Sequence, residues 1–240
     1  MDTIRPTAET TNVEPHTPLT RTPLSKERVL RAAVTVADHG GIEALTMRRL
    51  AQELGVEAMS LYYHVANKDQ VLDGVVDVIV GEINAAVSSI DPPAEADWKA
   101  TMRSRILAAR EVLLRHPWAP AVIEKRTTMS PSIIGYFEAL LGVFRSGGFS
   151  YDLAHHALHA LGSRALGFTQ ELFNPADDDA GASDAMFEEM ASQLPNLVGM
   201  LTEISHDDPD STLGWCDDQT EFEFGLDLIL DGLDRRRHSA

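Results

Sequence analysis

Apolar residues recur at steps of three or four through most of this 240-residue chain, which is the spacing of an amphipathic α-helix. Residues 46–65 contain two such patterns separated by Gly55, a residue type that readily adopts the left-handed turn conformation. Thr46 is placed to cap the first helix, and the small Ala51 would let the second helix cross it closely. With Leu61 facing inward from the second helix, this stretch predicts a helix-turn-helix, whose second helix enters the DNA major groove.

The same spacing predicts further helices, several of which begin at a residue that can cap them. Ser25, Asn67 and Ser130 are the clearest N-caps, and Pro131 suits a first helical turn. The predicted helices cover residues 25–39, 68–87, 97–115, 130–146, 150–172, 185–204 and 220–236, with a short piece at Val122 and Ile123. The sequence contains no alternating strand pattern and no internal repeat, so the predicted fold class is all-α.

Composition divides the chain into a tail and two helical units. Residues 1–24 are rich in proline and threonine and predict a disordered tail. Residues 25–87 predict a three-helix unit with a helix-turn-helix and a linker helix, and Asp-Pro-Pro at residues 91–93 marks the boundary. A larger helical domain is predicted for residues 95–236. Two polar loops are expected within that domain, at residues 175–184 and 206–211.

A net charge of −17 disfavours binding to nucleic acid, but the acidic residues are unevenly distributed. Residues 1–85 carry 8 basic and 12 acidic side chains, whereas residues 86–240 carry 12 and 25. Because exposed charges are screened over about 8–10 Å at physiological salt, a local basic face can act beside an acidic body. The single Cys216, with no apolar signal segment or membrane-length run, favours a reduced, cytoplasmic setting.

The helix-turn-helix stretch and its flanks resemble the tetracycline repressor (TetR) family of bacterial regulators. The resemblance is carried by residues 46–51 (Thr-Met-Arg-Arg-Leu-Ala), 54–56 (Leu-Gly-Val), 61–65 (Leu-Tyr-Tyr-His-Val) and 67–68 (Asn-Lys). Later features resemble the C-terminal domain of the tetracycline-repressor branch, namely Trp98, the His116-Pro117 break and residues 222–226 (Phe-Glu-Phe-Gly-Leu).

This resemblance implies a ligand-responsive transcriptional regulator with a larger C-terminal domain for ligand binding and dimerisation. The expected protein is a homodimer that represses from a near-palindromic double-stranded DNA operator and leaves it when a small molecule binds. It is not expected to be an enzyme. The alternative is a helical ligand carrier or enzyme that retains the helix-turn-helix only as a scaffold.

The resemblance also assigns DNA contacts to individual residues. Arg48 matches a base-reading arginine, because a guanidinium pairs bidentately with guanine; an ion pair with Glu53 or Glu57 is the alternative. Tyr62 and Lys68 match contacts to backbone phosphates. Further candidate contacts are Thr46, Ala58, Met59, Ser60 and His64. The neighbouring Tyr63 is expected to pack between helices instead.

The C-terminal domain is expected to bind a small apolar effector, with no metal or other cofactor. Its candidate contacts are Met102, Arg105, Trp118, Phe137, Phe144 and His156. Tetracycline-binding members use a histidine to bind drug-complexed magnesium, and a gapless alignment from Trp98 places Ile123 at that position, which disfavours this inducer. His155 and His159 have the spacing of a metal-ligand pair, but a polar helix face or pocket wall is the favoured interpretation.

A heptad pattern of apolar residues runs through residues 151–172 at alternating steps of three and four. In the last predicted helix, Gly225 would let another helix approach closely. The resemblance implies that these two helices pair across the dimer as a four-helix bundle, whereas intrachain packing is the alternative use of both stripes. The candidate dimer contacts are Leu158, Leu161, Ala165, Phe168, Gly225 and Ile229.

Overall fold

The computed structural model describes residues 23–90, 97–126, 128–167, 192–196, 198–199 and 218–238. Its main helices are α1 (Lys26–Gly40), α2 (Met47–Leu54), α3 (Ala58–Leu61), α4 (Lys68–Ser88), α5 (Trp98–Arg115), α6 (Ala119–Lys125), α7 (Pro131–Ser146), α8 (Tyr151–Gly167) and α9 (Asp218–Arg237). A one-turn 3₁₀ helix, Ile42–Ala44, follows α1. The described residues include no strand, and the all-α prediction is confirmed.

Helices α2 and α3 form the helix-turn-helix, and the residues at their ends explain its geometry. The Thr46 hydroxyl accepts a hydrogen bond from the backbone N–H of Arg49 (3.1 Å), which caps α2. Gly55 adopts φ 64° and ψ 37°, a left-handed conformation that a side chain would disfavour. Ala51 (4% exposed) and Leu61 (0%) are buried where the helices cross, as their spacing predicts.

The second helix of the motif is shorter than its apolar pattern predicts. Helix α3 ends at Leu61, and a turn follows in which the His64 N–H donates to the Leu61 carbonyl (2.9 Å). A few residues later, Asn67 adopts an extended backbone (φ −164°), and its side chain caps α4. Val65 is nevertheless buried, so the pattern predicts burial correctly but not helix length.

Helix α4 joins the helix-turn-helix unit to the rest of the molecule. Its apolar face, which includes the fully buried Val75 and Ile79, packs on α1 and on α5. Gly74 permits the close approach of α1, because a Cβ there would lie 2.4 Å from Leu30 Cδ2. One apolar core therefore runs continuously from α1 through α4 to α5 and α6.

A second apolar core lies between α5, α7, α8 and α9. Trp98, Phe144 and Phe149 meet at its centre, with ring centroids 4.5 Å apart for Trp98 and Phe149. At the edge of this core, Arg103 of α5 pairs with acidic residues of α9, most closely with Glu223 (2.6 Å). The hydrogen bonds from Gln219 and Arg103 hold the pKa of the Glu223 carboxyl below its usual value. These contacts fix α9 against α5.

Several predicted features lie outside the described residues. They are the tail up to residue 22, the boundary at residues 91–93, the loops at 175–184 and 206–211, most of the helix at 185–204, and the end of the heptad pattern, including Phe168. The division into domains therefore stays a prediction. In the described part of the chain, no helix is both long enough and apolar enough to cross a membrane.

Candidate nucleic-acid interface and effector cavity

The outer side of the helix-turn-helix carries the residues that the sequence assigns to DNA. Met59, in α3, is 72% exposed and Tyr62 is 46% exposed, so both side chains can reach a partner molecule. Arg48 and Lys68 are exposed, and neither forms an ion pair with any described residue. Lys68 also begins α4, whose free N–H groups attract anions. Three hydrogen-bond donors of the motif, a guanidinium, a phenol and an ammonium, are therefore exposed to solvent.

Arg49 explains why Arg48 is available. The i,i+4 ion pair on α2 joins Arg49, not Arg48, to Glu53, with Nη2 3.5 Å from Oε2. The alternative interpretation of Arg48 as half of an ion pair with Glu53 or Glu57 is therefore not realised among the described residues. Its contact with DNA bases stays a prediction.

Several other side chains of the motif lie differently from their sequence interpretation. Tyr63 is 88% exposed, so the prediction that it packs between helices is wrong; α3 ends before it, and the helical face assumed for it does not form. Ala58 is half-buried against the apolar core, which leaves only part of its methyl group for DNA. The Thr46 hydroxyl already caps α2, and Ser60 and His64 are half-buried. The DNA contacts of these residues stay predictions.

A cavity of about 310 Å³ lies between α4, α5, α6, α7 and α8. Its wall is built mainly of apolar side chains, including Val76 and Val80 of α4, Ile106 of α5, Phe137 of α7 and Leu158 of α8. A largely apolar space of this size suits a small molecule with few polar groups.

The few polar groups on the cavity wall are neutral or already paired. Arg126 lies 2.6 Å from Asp73 and 3.2 Å from Asp69, and the hydrogen bond to Asp73 raises the pKa of its guanidinium. Burial raises the pKa of the Tyr136 hydroxyl, which therefore stays a neutral hydrogen-bond donor at physiological pH. Beside Tyr136, burial lowers the pKa of Arg105. Among the described residues, the wall itself carries no uncompensated cation.

Of the six candidate ligand contacts, only Phe137 lies on this wall. Met102 and Phe144 are fully buried in the second core, because they fall on the sides of α5 and α7 that face it. The His156 side chain is 70% exposed on the outside of α8. Arg105 lies next to the wall residue Tyr136 but does not line the cavity. The expected wall is corrected accordingly, while the binding of a ligand by Phe137 stays a prediction.

Trp118, the remaining candidate, belongs to a polar link between the helix-turn-helix unit and the C-terminal helices. Its indole N–H donates to Asp38 Oδ1 on α1 (2.7 Å). The buried His116 ring places Nδ1 2.7 Å from the same Asp38 oxygen and Nε2 3.2 Å from Glu82 Oε2 on α4. Sequence reasoning missed Asp38, because an isolated acid near the end of a helix gives no sign of a partner 80 positions away. This link couples the corner between α5 and α6 to both α1 and α4.

The apolar stripe of α8 faces the inside of the chain. Leu158, Leu161 and Ala165 line the cavity, and Leu161 is only 3% exposed. A side chain that is buried within one chain is not free to contact a second copy. Leu161 therefore packs within its own chain, whereas Leu158 and Ala165 are only partly buried, and their assignment as dimer contacts stays a prediction.

The last helix shows the same division between inner and outer faces. Gly225 faces α8, since a Cβ there would lie 2.8 Å from the Arg164 guanidinium, and Ile229 packs against the second core. By contrast, Phe224 (61% exposed) and Leu228 (56% exposed) form an apolar strip on the outside of α9. This strip is open to a partner, and the assignment of the partly buried Gly225 and Ile229 as dimer contacts stays a prediction.

The histidines of α8 lie on its outer face. The rings of His155 and His159 have centroids 4.6 Å apart. Within the described ranges, no cluster of three or more His, Cys, Asp and Glu side chains is placed to hold a metal ion. The polar-face interpretation of these histidines agrees with their exposure.

A helix-turn-helix joined by one long helix to an apolar cavity defines the chain as a DNA-binding regulator that responds to a ligand. Two family models match it: that of the bacterial regulatory proteins of the tetR family over residues 29–75, and the tetracyclin repressor-like C-terminal domain over residues 91–237. The chain therefore belongs to the TetR family of bacterial transcriptional regulators.

Similar proteins are regulators as well. The transcriptional repressor DrrR1 of Streptomyces coeruleorubidus is 30% identical over 228 residues, covering 90% of this chain and 82% of that protein. The class A tetracycline repressor from transposon 1721 of Escherichia coli is 30% identical over 216 residues, covering 90% and 93%.

Crystal structures of the TetR family protein ActR from Streptomyces coelicolor share this fold. The apo form matches with a TM-score of 0.67 and 26% identity, covering 91% of this chain and 98% of that one. The complex with (S)-DNPA matches with a TM-score of 0.66 and 27% identity, covering 90% and 100%. These similarities favour a ligand-responsive DNA-binding regulator over a carrier or enzyme with an unused motif.

Proposed function

We propose that this protein is a homodimeric repressor that acts in the cytoplasm, binds a near-palindromic operator, and leaves it when a small apolar effector binds. The supporting observation is the position of α4. Lys68 begins this helix beside α3, whereas Val76, Val80 and Ile83 of the same helix line the cavity. Helix α4 has 21 residues, so it spans about 30 Å. A ligand that displaces its cavity segment would shift the recognition helix on the DNA.

The DNA contacts are divided between base readout and positioning. Arg48 reads guanine in the major groove, and Tyr62 and Lys68 donate to phosphate oxygens. The exposed Met59 contacts thymine methyl groups or responds to groove shape, because it has no hydrogen-bonding group. In a dimer, two such motifs about 34–36 Å apart read two half-sites in successive major grooves.

The effector is a molecule with a predominantly apolar body. Ile123 lines the cavity where tetracycline-binding members have a magnesium-binding histidine, which disfavours a magnesium–tetracycline inducer. ActR from Streptomyces coelicolor, with 27% identity, has been crystallised with actinorhodin, and this chain is proposed to bind a small molecule in the cavity of its C-terminal helices. For a nearly complete switch, the ligand must prefer the DNA-incompetent form by about 5.5 kcal/mol.

The experiment that tests this function is selection of binding sites from random DNA, followed by footprinting at low salt on DNA upstream of the chain's own gene. We expect a two-fold symmetric site and protection of both half-sites. Arg48→Ala should relax the sequence preference at one position per half-site, at a cost of about 1–3 kcal/mol. Arg49→Ala is the matched control, since Arg49 is engaged by Glu53. If neither selection nor footprinting yields a site, the proposal fails.

A further inference from the structure

A second chamber of about 310 Å³ adjoins the apolar cavity and differs from it in chemical character. The two spaces share wall residues, namely Val76, Arg126, Thr128 and Ile133. The rest of its wall adds the polar residues Lys26 of α1, Gln70, Asp73 and Asp77 of α4, and Ser130 before α7, so this chamber is more polar than the cavity, although much of its surface is still apolar. One ligand can therefore place an apolar part in the cavity and a polar part in this chamber.

Asp77 is the unsatisfied group of the polar chamber. Its Oδ1 atom is buried and accepts no hydrogen bond from any described residue. Asp73, one helical turn earlier, differs because it pairs with Arg126 at 2.6 Å. Burying a carboxylate oxygen without a donor is unfavourable, and Asp77 itself lines the chamber, so a ligand donor that reaches this carboxylate from the chamber would relieve that cost.

We propose that the effector carries a protonated amine that donates to Asp77 while its apolar body occupies the cavity. The inference rests on the proposed function and adds the chemical class of the ligand, an amphiphilic organic cation. A hydrogen bond between two charged groups is stronger than one between neutral groups, which favours an ammonium over a hydroxyl or an amide.

The other charges around the chamber are compatible with a cation. Arg126 is neutralised by two carboxylates, those of Asp69 and Asp73. Lys26 is exposed, so water screens its charge. Asp77 is thus the charged group that a ligand amine would meet in the polar chamber.

Two other head groups fit the structure less well. A metal ion needs several ligands, and the described residues provide no cluster of His, Cys, Asp and Glu for one. An anion would need an available cation, and Arg126 is already paired while Lys26 is exposed to water. The remaining cation nearby is Arg105, whose Nε is also buried without a hydrogen-bond partner among the described residues. However, Arg105 lines neither chamber.

An amine in this position would act directly on the DNA-binding unit. The chamber is bounded by α1 and α4 on one side and by the start of α7 on the other. Of the helices α1 to α4, only α4 contributes residues to the wall of the apolar cavity. The head group would therefore connect ligand binding to the relative position of α1, α4 and α7.

The test uses the full-length protein and three fluorescent probes that share a dansyl group as the apolar body. Dansylcadaverine has a terminal amine, its N-acetyl derivative has a neutral amide, and dansyl-6-aminohexanoate has a carboxylate on a chain of similar length. Dissociation constants are measured from the fluorescence change on titration. We expect the wild type to bind the amine about tenfold or more tightly than the other two.

Two substitutions test whether Asp77 causes the preference for the amine probe. Asp77→Asn should remove the preference for the amine while retaining affinity for the N-acetyl probe, because the apolar cavity is unchanged. Glu124→Gln removes an exposed carboxylate of neighbouring α6 and should keep the preference.

Equal affinity for the amine and the amide, or a preference that persists in Asp77→Asn, overturns the inference but not the proposal of an apolar effector. Tightest binding of the carboxylate would overturn it in favour of Arg105. If no probe binds, the proposal of an apolar effector in this cavity fails together with the inference about Asp77. The proposal of DNA binding would be unaffected.

Discussion

Whether a side chain of the helix-turn-helix can reach DNA depends on what it already contacts within its own chain. Arg49 is held by Glu53, and the Thr46 hydroxyl caps α2, whereas Arg48 is exposed without an ion pair to any described residue. Helical periodicity indicates which residues face outward but not which of them are engaged. The sequence therefore could not distinguish Arg48 from Arg49, and the resemblance to a family did so.

Phosphate contacts should weaken every DNA site alike. Tyr62→Phe removes one donor and should reduce affinity about fivefold on any sequence, the effect of about 1 kcal/mol for a lost hydrogen bond. Lys68→Ala should also lower the slope of log affinity against log salt by about 1 per motif. Fluorescence anisotropy on a selected site and on a scrambled site, at several salt concentrations, measures both effects.

Tyr151→Phe is the control for this pair, since Tyr151 is 69% exposed at the start of α8, far from the motif in sequence. It should leave DNA affinity unchanged. A loss in Tyr62→Phe or Lys68→Ala that appears on the selected site but not on the scrambled one would contradict the phosphate assignment and indicate base readout instead.

At the scale of helices, apolar stripes predict the elements well but not the partner of each stripe. The caps at Asn67 and Ser130 and the predicted starts of α4 and α7 are confirmed, because capping is a local interaction. The stripe with Leu161 was assigned to the dimer, yet it lines the cavity within the chain. Periodicity indicates how wide the apolar face of a helix is. Because a cavity wall and a dimer interface require faces of the same width, periodicity cannot distinguish between them.

Long-range polar contacts are the other part of the structure that the sequence could not predict. The pairing of Trp118 and His116 with Asp38 depends on the packing of α1 beside the corner between α5 and α6. Asp77 is recognisable only because, among the described residues, no donor forms a hydrogen bond with its buried Oδ1 atom. No characteristic spacing of residues in the sequence signals either feature, since each arises from the tertiary arrangement of the helices.

The packing of α1 on α4 leads to a prediction about two glycines of α4. Gly74→Ala should destabilise the protein by about 1–3 kcal/mol, because the new methyl group overlaps the buried Leu30 side chain, which must shift within the packed core. Gly81→Ala is the matched control, since its Cβ would meet no atom within 4 Å. It should stabilise the helix by about 0.4–1 kcal/mol. Denaturant unfolding monitored by circular dichroism gives both values; equal effects of the two substitutions would contradict the close approach.

At the scale of the whole molecule, the acidic charge determines how the protein must bind DNA. With a net charge of −17, attraction to phosphates is confined to a small cationic face on each motif. Each motif presents only a few groups, such as Arg48, Tyr62 and Lys68. We therefore infer that binding requires both half-sites at once, because linking two weak contacts raises the affinity far above that of either alone. The dimer is then as necessary for DNA binding as the contact residues.

The exposed strip of α9 leads to a prediction about this dimer. Leu228 is 56% exposed beside Phe224, and a partner copy that covers it would bury an apolar side chain on each subunit. Leu228→Lys would place an uncompensated charge there and should weaken association by about 2–4 kcal/mol, enough to give monomers at micromolar concentration.

Leu114→Lys, at a position 57% exposed on α5, is the matched control and should remain dimeric. Light scattering coupled to size exclusion measures the mass, and circular dichroism checks the fold. A folded Leu228→Lys variant with unchanged dimer mass would show that the two copies meet through another face.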